Sequence, residues 1–233
     1  NFAAFIVAAK EPGCWRNSSC IFAVESSKLR ETILIPEEIK RLSEICAATK
    51  IMLDSVDKNN EDKVYGNSPG KRYEVRQKSL VWAGKLGFPT ITGIMAGIGD
   101  TQESRKTAFK MIAEVHQEYG TIHEMLIQNF SPESGTKFKD KKIPTKEQML
   151  NIVEMARNIL PDDVSVTVPI DMNEDIEDFV KAGVRDLGRI YEGRHPLYEN
   201  CKAIDFNDIE ERLDKLGFKL QQRFPIRKEY IKE

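Results

Sequence analysis

The chain has 233 residues, 40% hydrophobic and 31% charged, an ordinary globular composition with room for a sizeable core. Its 35 Lys and Arg against 37 Asp and Glu leave a formal net charge of -2, which provides no basic field for nucleic acid or an anionic membrane and favours a small-molecule partner. The four cysteines, Cys14, Cys20, Cys46 and Cys201, form neither a CxxC pair nor a disulfide framework, so a reducing cytoplasm is the expected location.

The first segment, "NFAAFIVAAK", offers about eight apolar residues without a basic leader, short of the ~20 that span a bilayer. It reads as a buried strand or a ragged end, and with Asn1 in place of Met the chain is expected to start inside a longer gene product. "IPEEIKRLSEICAA" follows as a helix, with Pro36 near its start and Ile35, Ile39, Leu42 and Ile45 at helical spacing. "IMLDSVD" (51–57) reads as a strand, "KNNEDKVYGNSPGK" as a polar loop, and "RYEVRQKSLVWAGKLG" as a helix stopped by Gly87.

The stretch "FPTITGIMAGIGDT" (88–101) is a β-branched strand that opens into a loop holding Gly93, Gly97 and Gly99, meets Asp100, and becomes a helix. Glycines at a strand's C-terminal end permit close approach to a ligand, and Asp100 with Glu103 predicts a capping-box-like helix start. Neither GK[ST] nor a third glycine at Gln102 is present, which removes the P-loop and the dinucleotide fingerprint. The loop reads as a binding loop, with a purely structural turn as the alternative.

Alternation then continues: helix 101–120, strand "HEMLIQNF", helix "TKEQMLNIVEMARNIL", strand "SVTVPI", helix "NEDIEDFVKAG", short strand "DLGRI" and helix "NDIEERLDKLG", with "FKLQQRFPI" as a tail. About six βα units in series predict an α/β protein with parallel strands and outer helices, either an open sheet or part of a (β/α)8 barrel, whose full form needs ~250 residues. Strands near Ile51, Thr90, Met125 and Val166 are expected to lie parallel and adjacent. His116, His123 and His195 have no HExxH or HxH spacing and read as packing or surface residues. No GxSxG nucleophile motif occurs. The run "KFKDKK" and the end "RFPIRKEYIKE" read as solvated segments.

From Leu34 to Glu233 several motifs in order, "LIPEEIKRLSEICAATKIMLDS", "NSPGKRYEVR", "TGIMAGIGDTQESRKTAFKMIAEVHQEYGTIHEMLIQNFSPESGT", "AGVRDLG" and "FKLQQRFPIRKEYI", resemble the radical S-adenosylmethionine enzymes. Within them they resemble the CofG-type family of 7,8-didemethyl-8-hydroxy-5-deazariboflavin (FO) synthase subunits. The resemblance divides the chain into an unmatched segment 1–33 and a barrel segment 34–233. It implies a partial TIM-type barrel in which "GIMAGIGD" lies along S-adenosylmethionine, with Gly93, Gly97 and Gly99 at the backbone approach and Asp100 in a glutamate's usual position. It places Asp54, Gln128 and Asn129 on the same rim. A branched residue at Gly97 is expected to abolish binding and leave the fold standing.

The resemblance further implies a [4Fe–4S] cluster, S-adenosylmethionine, a tyrosine-derived substrate unit, 5-amino-6-ribitylaminouracil and a companion CofH-type subunit. The cluster's CxxxCxxC is not present: Cys14 and Cys20 are six apart, with no third cysteine near them. Tyr65 stands where the family has a histidine, Cys46 replaces an asparagine, and "GRIY" replaces "GGIS". Two readings follow, an enzyme or enzyme part in deazaflavin coenzyme formation, or a barrel fragment that binds or scaffolds without redox chemistry.

Overall fold

The computed structural model describes residues 4–6, 36–132, 134–190 and 204–223. In chain order these form β1 (Ala4–Ile6), α1 (Pro36–Ile45), β2 (Thr49–Asp54), α2 (Glu61–Tyr65), α3 (Tyr73–Lys85), β3 (Thr90–Ala96), α4 (Gln102–Tyr119), β4 (Ile122–Asn129), α5 (Lys146–Ile159), β5 (Ser165–Thr167), α6 (Ile176–Ala182), β6 (Asp186–Arg189), α7 (Phe206–Asp214) and β7 (Gln222–Arg223). One sheet runs β2-β3-β4-β5-β6-β1-β7.

The expected parallel, adjacent strands are present: β2, β3, β4, β5 and β6 pair in sequence order, all parallel. Helical crossovers permit this order, and they cover one side of the sheet. Ile51, Leu53, Ile94, Met125, Ile127, Val166 and Leu187 alternate onto that side and are buried with Leu80, Phe109, Ile112, Met149, Val153 and Phe179 from the helices. The strands' other residues, Lys50, Met52, Asp54, Ile91, Met95, Leu126 and Gln128, are half-buried and lie on the opposite face. Such a strip of parallel βα units, with the described helices on one face only, is a partial (β/α) barrel.

Several expectations need correction in detail. The loop 58–71 holds two 3-10 turns, Lys58–Asn60 and Pro69–Lys71, around α2. The cap of α4 is Thr101 with Ser104, in a reciprocal capping box, and not Asp100 with Glu103. The tail is not wholly solvated, since β7 pairs antiparallel with β1, which in turn pairs antiparallel with β6. Cys14, Cys20, Cys201, His195 and residues 224–233 lie outside the described residues. Among the described residues no helix is long and apolar enough to cross a membrane.

Candidate functional site

Parallel strands deliver their C-terminal ends to one rim, and the loops there meet. At the end of β2 the chain turns through Asp54 at φ 54°, the one non-glycine residue with positive φ among those described. Such a conformation costs a non-glycine residue about 1 kcal/mol or more and has to be held by its surroundings. Tyr65 holds it: its hydroxyl oxygen accepts the Ser55 N–H at 2.6 Å, and its O–H donates to the Leu53 carbonyl at 3.1 Å, either side of Asp54. Burial, with the Asp54 charge beside it, pushes the Tyr65 phenol above its ordinary range, so it stays protonated and able to donate. Tyr65→Phe removes the acceptor of the buried Ser55 N–H, with an expected loss of about 1–3 kcal/mol in a chemical-denaturation measurement. A loss below about 0.5 kcal/mol would mean that water replaces the hydroxyl.

The glycine loop at the end of β3 is closed from inside. Asp100, its side chain fully buried, accepts the Gly97 N–H at 2.7 Å through Oδ1 and the Arg105 guanidinium through Oδ2. Asn60, from the 3-10 turn after β2, donates its Nδ2–H to the Gly99 carbonyl. Gly97 has φ 92°, and a Cβ there would sit 2.4 Å from Pro144 Cγ. The clash expected of a branched residue at Gly97 is therefore with the β4–α5 connection in the first instance, a contact within the chain. Gly93 lies mid-strand, where a Cβ would meet the Leu126 carbonyl oxygen at 2.2 Å.

At the end of β4, Asn129 is buried and exchanges two side-chain hydrogen bonds with Asn173, donating at 3.0 Å and accepting at 2.8 Å, while Asn173 also donates to the Pro169 carbonyl. Asn129 thus ties the β4 end to the loop after β5. Gln128, beside Met95 in the β3–β4 register, is half-buried on the uncovered face. The structure brings Asp54, Gly93 and Gln128 to that face and Gly97, Gly99 and Asp100 to the loop at its edge. His116 keeps a packing role: its Nδ1 accepts the Ile122 N–H at 3.2 Å and Nε2 pairs with Asp163 at 2.9 Å. "KFKDKK" is mostly exposed, but Lys141 is half-buried and stacks over Phe138 at 5.5 Å, near Gly99.

Sequence reading missed the charged cluster at the other end of this face, where Arg223 covers it. Arg223, from the supposed tail, pairs with Glu124 on β4 at 2.8 Å and with Asp186 on β6 at 2.5 Å. All three side chains are at least 89% buried. Burial and the Glu124 charge push the Asp186 carboxyl up to about 7, whereas burial at Glu124 is more than offset by Arg223, His123 and Lys50 together and its carboxyl is held below the ordinary range. Only the alternation of Glu124 with Leu126 and Gln128 along one strand signalled where the cluster lies.

Among the described residues no group of three or more His, Cys, Asp or Glu could hold a metal ion. Cys46, the one cysteine among them, follows α1 and precedes β2, at the rim opposite Asp54, and burial raises its thiol pKa. The described residues therefore do not fit a [4Fe–4S] cluster, which needs several thiolates in one place. On the sheet face itself Asp54 and Gln128 carry polar groups and Met52, Met95 and Leu126 apolar ones.

No family model matches the chain. Across 215 residues, 90% of its length, it is 39% identical to the 7,8-didemethyl-8-hydroxy-5-deazariboflavin synthase of Archaeoglobus fulgidus. The synthase of the same name from Methanococcoides burtonii is 35% identical over 92% of the chain. The chain spans 65% and 64% of the length of these two relatives. Among solved structures, the FeFe-hydrogenase maturase HydG of Carboxydothermus hydrogenoformans superposes with a TM-score of 0.60 over 79% of this chain and 45% of that one. Methylornithine synthase (PylB) gives 0.57 over 84% and 57%, each at 15% identity, so these two attest the fold alone.

Proposed function

We propose that this chain, homologous to the archaeal 7,8-didemethyl-8-hydroxy-5-deazariboflavin synthases across nine tenths of its own length, acts in deazaflavin coenzyme biosynthesis. In this reading the uncovered face and its glycine-loop rim hold S-adenosylmethionine and the substrates of the synthase. The supporting observation is the convergence of Asp54, Gln128 and the Gly97–Asp100 loop at one end of an open parallel sheet, where α/β proteins place ligands. Asp54 carries a negative charge toward the ligand's cationic end, Gln128 offers both a donor and an acceptor, and the methionines bury the adenine plane.

The substrates in this reading are a tyrosine-derived unit and 5-amino-6-ribitylaminouracil, the partner is a CofH-type subunit, and the place is the cytoplasm. The radical-generating cluster has no ligand set among the described residues, so the part assigned to them is to bind, orient and exclude water. The second reading is a binding or scaffold protein without redox chemistry.

One experiment tests the ligand assignment of the rim and the chain's capacity for redox chemistry together. The chain is purified anaerobically, supplied with iron and sulfide, titrated with S-adenosylmethionine in a calorimeter, and assayed for 5'-deoxyadenosine after reduction. The expected result is weak binding that Asp54→Ala removes, with no stable cluster and no cleavage. About four irons per chain together with 5'-deoxyadenosine would show a complete enzyme with an unrecognised cluster site. Absence of any binding would overturn the ligand assignment of the rim.

A further inference from the structure

We infer that Arg105 is a positioning residue for the glycine loop, acting through the buried carboxylate of Asp100; as a statement about ligand binding this rests on the rim reading above. Arg105 lies in the first turn of α4, and its backbone N–H bonds the Thr101 carbonyl at 3.0 Å, so its Cα is fixed by the capped helix. Its side chain is 18% exposed and reaches back over the loop to Asp100, whose side chain is 0% exposed. Both Asp100 oxygens are then engaged, one by the guanidinium and one by the Gly97 N–H.

A fully buried carboxylate without a cation is strongly disfavoured, and the group turns toward water or takes up a proton. Turning out breaks the bond to Gly97, the first residue after β3 and the pivot of the loop edge nearest Met95 and Gln128. Pro144 against Gly97 and Asn60 on Gly99 restrain the loop from two other sides. Neither of them reaches Asp100's charge, so that task falls to Arg105. The chain of effect runs from helix to guanidinium, carboxylate, Gly97 amide and rim.

The test compares Arg105→Met, Asp100→Asn and the double variant with the parent chain, reading S-adenosylmethionine affinity by calorimetry, amide hydrogen exchange at Gly97 and thermal midpoint. Arg105→Met is expected to weaken binding about tenfold and to speed Gly97 exchange by a similar factor. In the double variant the neutral amide of the new asparagine accepts the Gly97 N–H with no charge to compensate, so affinity and exchange return to within about threefold of the parent. Arg105→Lys keeps the charge and gives the same comparison with a smaller shift if Arg105→Met does not fold. Parent-like affinity in Arg105→Met, or no recovery in the double variant, overturns the inference, the second because Arg105 would then touch the ligand itself. If the parent chain binds nothing, the rim assignment is what fails. Gly97 exchange, which needs no ligand, then still decides, and unchanged exchange in Arg105→Met overturns the positioning role.

Discussion

Arg223→Met is expected to lower stability by about 3–5 kcal/mol at pH 8, a fall in thermal midpoint on the order of 10 °C, because it leaves two buried carboxylates facing one another without their shared cation. The loss is expected to shrink on acidification. In the parent, Asp186 titrates at about 7 when folded against an ordinary 3.8, so between about pH 4 and pH 7 the folded chain holds a proton that the unfolded chain has released. That raised group contributes stability that is complete below its ordinary value and is lost as pH rises through 7. Glu124 acts oppositely: held low by Arg223, it contributes stability above its ordinary value that is lost as pH falls. Removing Arg223 takes away the largest of the charges that hold Glu124 low and raises both carboxyls, so at pH 5.5 the variant folds with at least one of them protonated. Thermal melts of parent and variant at pH 5.5 and pH 8 check this. Equal deficits at the two values would mean that the cluster is wetter than its burial indicates.

That cluster also shows where sequence reading stops. The βα alternation was legible because it rests on local periods: Ile39 on one helix face, or Ile51 and Leu53 on one strand face, are fixed by spacing alone. Glu124 and Arg223 are separated by 99 positions, and an arginine between Gln222 and Phe224 near the end of the sequence carries no periodic signal that would mark it as interior. The Asn129–Asn173 exchange, 44 positions apart, is hidden in the same way. Helix α2 reads as loop because five residues bounded by Asn60 and Gly66 show no periodicity. At the glycine loop the composition correctly announced unusual backbone, Gly97 and Gly99 both having positive φ. It could not tell that Pro144 and Asn60, brought in from other connections, already occupy the space the missing side chains leave.

The same three glycines separate by consequence, and Gly93→Ala is expected to be the most damaging. A methyl at Gly93 lies 2.2 Å from the Leu126 carbonyl oxygen and 2.7 Å from Met52 Cε. The Met52 methyl can swing aside, since methionine is unbranched and adaptable. The carbonyl cannot, because it belongs to β4 in the middle of the parallel ladder, where Gly93 pairs with both Met52 and Leu126. Relief requires β3 and β4 to separate, which weakens their hydrogen bonds and opens the core beneath Ile94, Met125 and Ile127. A loss of at least about 3 kcal/mol, roughly 10 °C in thermal midpoint, is expected. Gly97→Ala meets a different obstacle: the ring of Pro144 and a φ of 92° lie in a rim loop, where a strain of about 1–3 kcal/mol can be relieved by shifting the loop outward. The two variants should therefore diverge, Gly93→Ala in melting temperature with a broadened transition, and Gly97→Ala in S-adenosylmethionine affinity with a midpoint only a few degrees below the parent. Circular-dichroism melts beside calorimetric titration measure both. A Gly93→Ala protein that melts within about 2 °C of the parent would show that the sheet yields at this point, and the close approach of β3 to β4 would not be what requires glycine there.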